Sequence, residues 1–237
     1  MSDTGSGHIV SSYEEELVDL ASSISLMGGM VEDAISQSID ALLSHDKKKA
    51  KIIVKNDRLV GDMQLKIDEN AVSMIARRQP MASDLRLIIS SIHVANDLER
   101  IGDMAKNISR RIKHIKGGEE LSPTFYNGVR HMTDLTLLQI KTSLDAFASR
   151  DTKAAIAVCE RDDEVDALYV SIFRELLTYM MEDPRNITQC TNLLFCAKNL
   201  ERAGDHATNI AEAAYYLETG KNLQSVLEEM NEQDLEE

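Results

Sequence analysis

The chain carries one segment twice. Leu98-Glu99-Arg100-Ile101-Gly102-Asp103-Met104-Ala105-Lys106-Asn107-Ile108 recurs 102 residues later as Leu200-Glu201-Arg202-Ala203-Gly204-Asp205-His206-Ala207-Thr208-Asn209-Ile210, and eight of the eleven positions are identical. Upstream the repeat continues at a shift of 105. Met27 matches Met132, Asp40 matches Asp145, Ala50 matches Ala155, Asp57 matches Asp162, Val60 matches Val165 and Ile67 matches Ile172. A duplicated unit folds by one plan used twice.

The plan is helical. Pro80, Pro123 and Pro184 each separate long stretches whose apolar residues recur at spacings of three and four. Proline is tolerated poorly inside a helix, so each marks a boundary. Ser44-His45-Asp46 and Ser149-Arg150-Asp151 add two more breaks. These predict six helices, over 11–44, 47–78, 83–116, 123–149, 152–182 and 186–219, with a short amphipathic tail around Leu223 to Met230. Helices of that length joined by short turns pack as antiparallel bundles. The expected fold is therefore all-α. Two tandem three-helix bundles cover 10–117 and 122–220, and a tail covers 221–237.

Composition narrows the function. Hydrophobic residues make up 43% of the 237, enough for a core, while the formal net charge is −14. Such a chain repels a phosphate backbone and an anionic membrane surface. It favours cations, or basic patches on partner proteins. The three cysteines, Cys159, Cys190 and Cys196, form no CxxC and lie in apolar helical stretches, which fits reduced core thiols. No apolar run is long enough for a membrane span, and Met1 to Gly7 lacks the apolar stretch of a signal peptide. A cytoplasmic protein is expected, reaching a membrane only through partners.

The repeated segment brings together carboxylates. Glu99 and Asp103 stand four residues apart, as do Glu201 and Asp205, so each pair shares a helix face. Like charges there repel unless a cation lies between them. Two matched copies point to a hard metal ion, which prefers oxygen ligands. Counting from the turn prolines, Asp162 and Asp166 fall at the heights of Asp205 and Glu201. In the first half Asp57 falls at the height of Asp103, but Gly61 faces Glu99. The second site is thus expected to have four carboxylates, and the first three. Solvated acidic stripes balanced by Arg100 and Arg202 are the plainer alternative. Gly102 and Gly204, inside helices, suggest either close helix packing or room for a ligand.

Catalytic patterns are lacking. There is no GxxxxGK[ST] loop, no HExxH and no Glu-x-x-His of the ferritin-like di-iron sites. His206 adjoins Asp205, either as a further ligand or as a neighbour. The chain reads as a non-enzyme.

The paired LERIGDMAKNI and LERAGDHATNI segments, with Arg77-Arg78-Gln79-Pro80 and Ser83-Asp84-Leu85-Arg86, resemble the PhoU family over about residues 10 to 220. The resemblance implies two tandem three-helix bundles related by pseudo-twofold symmetry, and metal clusters held by the E/DxxxD pairs, with iron, zinc, magnesium or manganese as the ion. Carried onto this chain, the ligands are Asp57, Glu99 and Asp103, and Asp162, Asp166, Glu201 and Asp205. It also implies negative regulation of phosphate uptake and of the phosphate-starvation response. The family links the ATPase subunit of a phosphate ABC transporter to a sensor histidine kinase, and its members often form homodimers. A metal-storage protein using the same carboxylates, or a plain helical scaffold, are the competing expectations.

Overall fold

In the computed structural model the described residues are 4–114 and 123–234, with side chains over 12–114 and 125–229. They form eight α-helices: α1 (Thr4–Leu43), α2 (Lys47–Arg78), α3 (Ala82–Ile112), α4 (Pro123–Ser149), α5 (Thr152–Glu160), α6 (Asp162–Glu182), α7 (Ile187–Thr219) and α8 (Leu223–Asp234). A 3-10 turn, Pro184–Asn186, precedes α7. No strand occurs among the described residues. The expected boundary between the halves, 117–122, lies outside them.

The repeat is visible in the turns. Asp46 caps α2 by accepting from the amides of Lys48 and Lys49 at 2.9 and 3.0 Å. Asp151 caps α5 in the same way, from Lys153 and Ala154 at 2.9 and 3.1 Å. The residue before each cap is left-handed, His45 at φ 53° and Arg150 at φ 57°. A left-handed residue turns the chain sharply, and the Asp side chain then satisfies amides that a helix start leaves free. This explains why Ser44/Asp46 and Ser149/Asp151 recur.

One expected helix is divided. The segment 152–182 breaks at Arg161 (φ −90°, ψ −4°) into α5 and α6. Neither proline nor glycine marks the break, which is why helical periodicity ran through it. Its signal is the run Asp162-Asp163-Glu164 in the first turn of α6, where acidic groups complement the helix dipole. Three bounds also move. The third helix ends at Ile112 rather than 116. The first helix starts at Thr4 rather than 11, and the tail is a helix to Asp234 whose Leu223 is buried.

The two third helices form the spine. α3 buries thirteen residues and α7 fourteen, whereas α2 buries six. Their mutual contact is the most extensive in the molecule. They run antiparallel: Asp97 meets His206 and Asn209, while Arg111, farther along α3, lies over Phe195, earlier in α7. Leu98, Ile101, Ala105 and Ile108 and their repeat equivalents Leu200, Ala203, Ala207 and Ile210 are all fully buried. α1 and α2 cover α3, and α4, α5 and α6 cover α7, with α1 also touching α4. Arg78 ties α2 back to α1 through Glu16 at 3.0 Å. Arg86 Nε donates to the Leu217 carbonyl at 3.2 Å, joining the start of α3 to the end of α7.

The spine should dominate stability. Leu200→Ala is expected to cost about 2–5 kcal/mol, the range for a buried leucine that leaves a cavity. Val72→Ala, at a 62% exposed position, should stay within about 0.5 kcal/mol. Urea unfolding followed by circular dichroism measures both.

Candidate metal centres

Each repeated segment exposes its carboxylates on the face opposite the spine. In LERIGDMAKNI, Leu98, Ile101, Gly102 and Ala105 are buried, which leaves Glu99 and Asp103 half-buried and turned towards α2. The two halves then treat these acids differently.

In the second half, ligand oxygens of Asp166, Glu201 and Asp205 lie within 4.8 Å of one another. Asp162 stands beside them, close enough to act electrostatically on Asp205. Its Oδ1 accepts from Gln139 Nε2 at 3.1 Å. The register argument therefore places the facing acids of α6 correctly, with Asp162 at the edge of the cluster. Burial, followed by the charge of Glu201, raises the carboxyl of Asp205 above its ordinary range. Burial likewise raises Asp162, reinforced by Asp166 and opposed by the Gln139 hydrogen bond. Lys198 pairs with Glu201 Oε1, but Glu201 Oε2 is buried without a partner. Four acids held together against one ammonium, with one orphaned carboxylate oxygen, fit a hard cation bound by oxygen donors. Asp162, Asp166, Glu201 and Asp205 are the residues that would hold it.

In the first half the protein supplies a cation of its own. Lys106 Nζ donates to Asp57 Oδ2 at 2.7 Å and also bonds Asp103. Burial alone would lower its ammonium, yet the hydrogen bonds to Asp103 and Asp57 outweigh this and raise it. Arg100 flanks Glu99 and Asp103 at 3.8 and 4.0 Å. Glu99 is raised, by burial first and then by Asp103. Asp57 and Asp103 do meet, as their equal distances from Pro80 predict, but through an ammonium. Position 61 is glycine with no atom within 4 Å of where a Cβ would stand, and neighbouring Asp62 turns away to Arg58 at 3.5 Å. Lys106 is the residue that the sequence reading missed. Its equivalent in the second half is Thr208, and this mismatch within otherwise matched segments was the available signal.

Other expectations resolve plainly. His206 does not face the carboxylate cluster: its Nδ1 pairs with Asp97 Oδ1 at 2.9 Å, across the seam between halves. Asn209 Nδ2 donates to the same oxygen at 3.1 Å. Gly102 and Gly204 serve close packing. A Cβ on Gly102 would come within 3.3 Å of Val60, and one on Gly204 within 2.8 Å of Gln139. Cys190 and Cys196 are buried, and burial pushes the Cys196 thiol up to about 12. A groove beside Asp57, of about 170 Å³, runs between α1 and α2 past Asp33 and Asn56. Its equivalent beside Val165 is about 40 Å³, because Gln139 and Arg161 stand where the first half has Ala34 and Asn56.

The fold is a duplicated helical bundle that carries a patch of carboxylates on each repeat. The PhoU domain model matches residues 24–112 and again 129–214. This chain belongs to the PhoU family. It is 51% identical over 213 residues to the phosphate-specific transport system accessory protein PhoU homolog of Rhizobium meliloti, covering 90% of each chain. The homolog of Caulobacter vibrioides is 44% identical over 218 residues, covering 92% of this chain and 94% of the relative. The crystal structure of PhoU from Pseudomonas aeruginosa superposes with a TM-score of 0.83 at 43% identity, covering 88% of this chain and all of that one. The phosphate transport system regulatory protein PhoU from Streptococcus pneumoniae gives 0.82 at 29% identity, over 89% and 99%. Among the described residues no helix is long and apolar enough to cross a membrane.

The unequal patches make a prediction. Lys106→Met should raise the affinity of the first patch for Mn²⁺, because three carboxylates lose their internal counter-ion. Without metal the same change should destabilise the fold by about 1–2 kcal/mol, the cost of stranding partly buried acids. Calorimetric titration and urea unfolding of the variant read the two effects.

Proposed function

We propose that this protein is a non-enzymatic regulator that restrains phosphate uptake and the phosphate-starvation response. It acts in the cytoplasm as an adaptor between the ATPase subunit of a phosphate ABC transporter and a sensor histidine kinase, and works as a homodimer. The observation that carries this reading is family membership over nearly the whole chain. Its relatives are named as accessory proteins of phosphate-specific transport.

The metal enters through the second patch. An ion of the iron, zinc, magnesium or manganese class would be held by Asp162, Asp166, Glu201 and Asp205. When bound, it supplies positive charge that offsets their mutual repulsion and fixes α6 against α7. The residues themselves do the positioning: Gln139 holds Asp162, Gly204 admits Gln139, and Lys198 anchors Glu201. The first patch, with Asp57, Glu99 and Asp103 around Lys106, takes metal more weakly. That asymmetry favours regulation over metal storage, since a storage protein gains nothing by filling half its capacity with an ammonium.

A strain lacking the protein, grown with ample phosphate and carrying a phosphate-starvation reporter, should express that reporter constitutively. Normal repression would refute the regulatory reading. The Glu201→Gln/Asp205→Asn variant should bind Mn²⁺ about tenfold or more weaker, as expected when two ligands lose their charge. Returned to the deletion strain, it reports separately whether the ion is needed for repression.

A further inference from the structure

On a chain of net charge −14 one cleft is strongly basic. It lies along the spine, where the end of α3 meets the first half of α7, and has a volume of about 410 Å³. Arg110, Arg111, Lys113 and His114 enter it from α3 and the residues just after, and Arg202 enters from α7. Among the described residues none of Arg110, Lys113 and Arg202 is paired with a carboxylate. Arg111 rests instead on the ring of Phe195, 4.0 Å from its centroid. Basic residues at a helix C-terminus complement its dipole, which accounts for Arg110 and Arg111. It does not account for Arg202, which sits in the middle of α7.

The duplication supplies a control within the molecule. The pseudo-twofold axis carries this cleft onto a region at the other end of the spine. There Asn199 is replaced by Asp97, Arg110 by Glu212 and Lys113 by Tyr215. That equivalent region satisfies its own polar groups: Asp97 takes hydrogen bonds from His206 and Asn209, and Glu212 from Gln224 at 2.8 Å. The basic cleft has the same backbone frame, yet its acids are exchanged for Asn199 and for cations. Asn199 Nδ2 is taken by the Phe195 carbonyl at 2.6 Å, while the cations and the amide of Asn107 line open volume.

We propose that this cleft binds a small multivalent oxyanion of the phosphate class, larger than one orthophosphate. Guanidinium forks match such oxyanions in charge and geometry. A volume of this size is in the range of small-molecule sites. The site is separate from the carboxylate patches and does not rest on the proposed regulatory role.

The test is calorimetric titration of the full chain with pyrophosphate, and with orthophosphate in parallel, at near-physiological salt and without added divalent cation. Saturable pyrophosphate binding is expected, tighter than that of orthophosphate. Arg110→Gln/Arg202→Gln should weaken it by about tenfold or more, the scale of losing charge-assisted contacts. Arg202→Gln alone should weaken it measurably, should the double variant fold poorly. Arg174→Gln, a remote exposed arginine, should bind as the parent does. Glu201→Gln/Asp205→Asn should retain binding and tighten it, because it removes negative charge beside Arg202; that outcome excludes capture through a metal on the acidic patch. Absence of saturable binding would overturn the proposal, as would binding that the cleft variants leave unchanged or that the acidic-patch variant abolishes. Attachment to phosphatidylglycerol vesicles without pyrophosphate binding would overturn it too, in favour of a lipid headgroup.

Discussion

The antiparallel seam between α3 and α7 governs the molecule. Five of the six buried positions that the repeated segment places on α3 are buried on α7 as well, Met104 against His206 being the exception, so the two helices offer each other nearly the same apolar face. A self-complementary face buried by a second copy of itself is the internal counterpart of a twofold dimer interface. Small residues at Ala105, Ala203, Ala207 and Ala211 let the helices approach. With one face committed to the seam, helical periodicity turns Glu99/Asp103 and Glu201/Asp205 away from it, towards α2 and α6. The carboxylate patches are thus a geometric consequence of the seam.

From that common frame the halves have diverged by moving single charges. Each patch has one lysine, but from different positions. Lys106 lies three residues after Asp103 and bridges to Asp57, across two helices. Lys198 lies three residues before Glu201, finds its acid partner on its own helix and reaches α6 at the Tyr169 ring, 5.3 Å from the centroid; it is 44% exposed. A partly buried ammonium shared by two carboxylates is hard to displace, because freeing it strands both acids. An exposed neighbour pair is worth little. Gly61 against Asp166 acts in the same direction, removing one oxygen donor from the first patch. The two patches therefore differ in kind: one shares a partly buried internal ammonium, and the other gathers its acids around a single, more exposed lysine.

Much of this was legible in the residues. Prolines and the Ser-X-Asp turns marked the helices, because backbone constraints at a turn are local. The duplicated ExxxD spacing marked the patches, and counting from Pro80 and Pro184 matched Asp57 with Asp103 and the α6 acids with those of α7. What escaped depended on where long side chains end. Lys106 reads as an ordinary exposed lysine until α2 brings Asp57 to it. His206 reads as a neighbour of Asp205, but one step along a helix is about 100° of rotation, which points it across the seam to Asp97. The break at Arg161 escaped because one non-helical residue needs no special side chain.

Arg110 and Arg202 escaped for a related reason. In sequence they are two arginines far apart in an acidic chain, Arg110 in a basic run at the end of a helix and Arg202 beside Glu201 and Asp205. Only the antiparallel seam brings the end of one repeat against the beginning of the other and sums their charges in one cleft. The same operation, applied to the other end of the seam, sums Asp97 and Glu212 with His206, Asn209 and Gln224, where the polar groups pair among themselves. A duplicated protein thereby produces every inter-repeat environment twice. Where one copy pairs its polar groups and the other leaves cations facing open space, the difference cannot come from the fold, which both share. It comes from the few substitutions that separate the copies. On a chain whose overall charge would draw cations everywhere, those substitutions leave one place able to attract an anion.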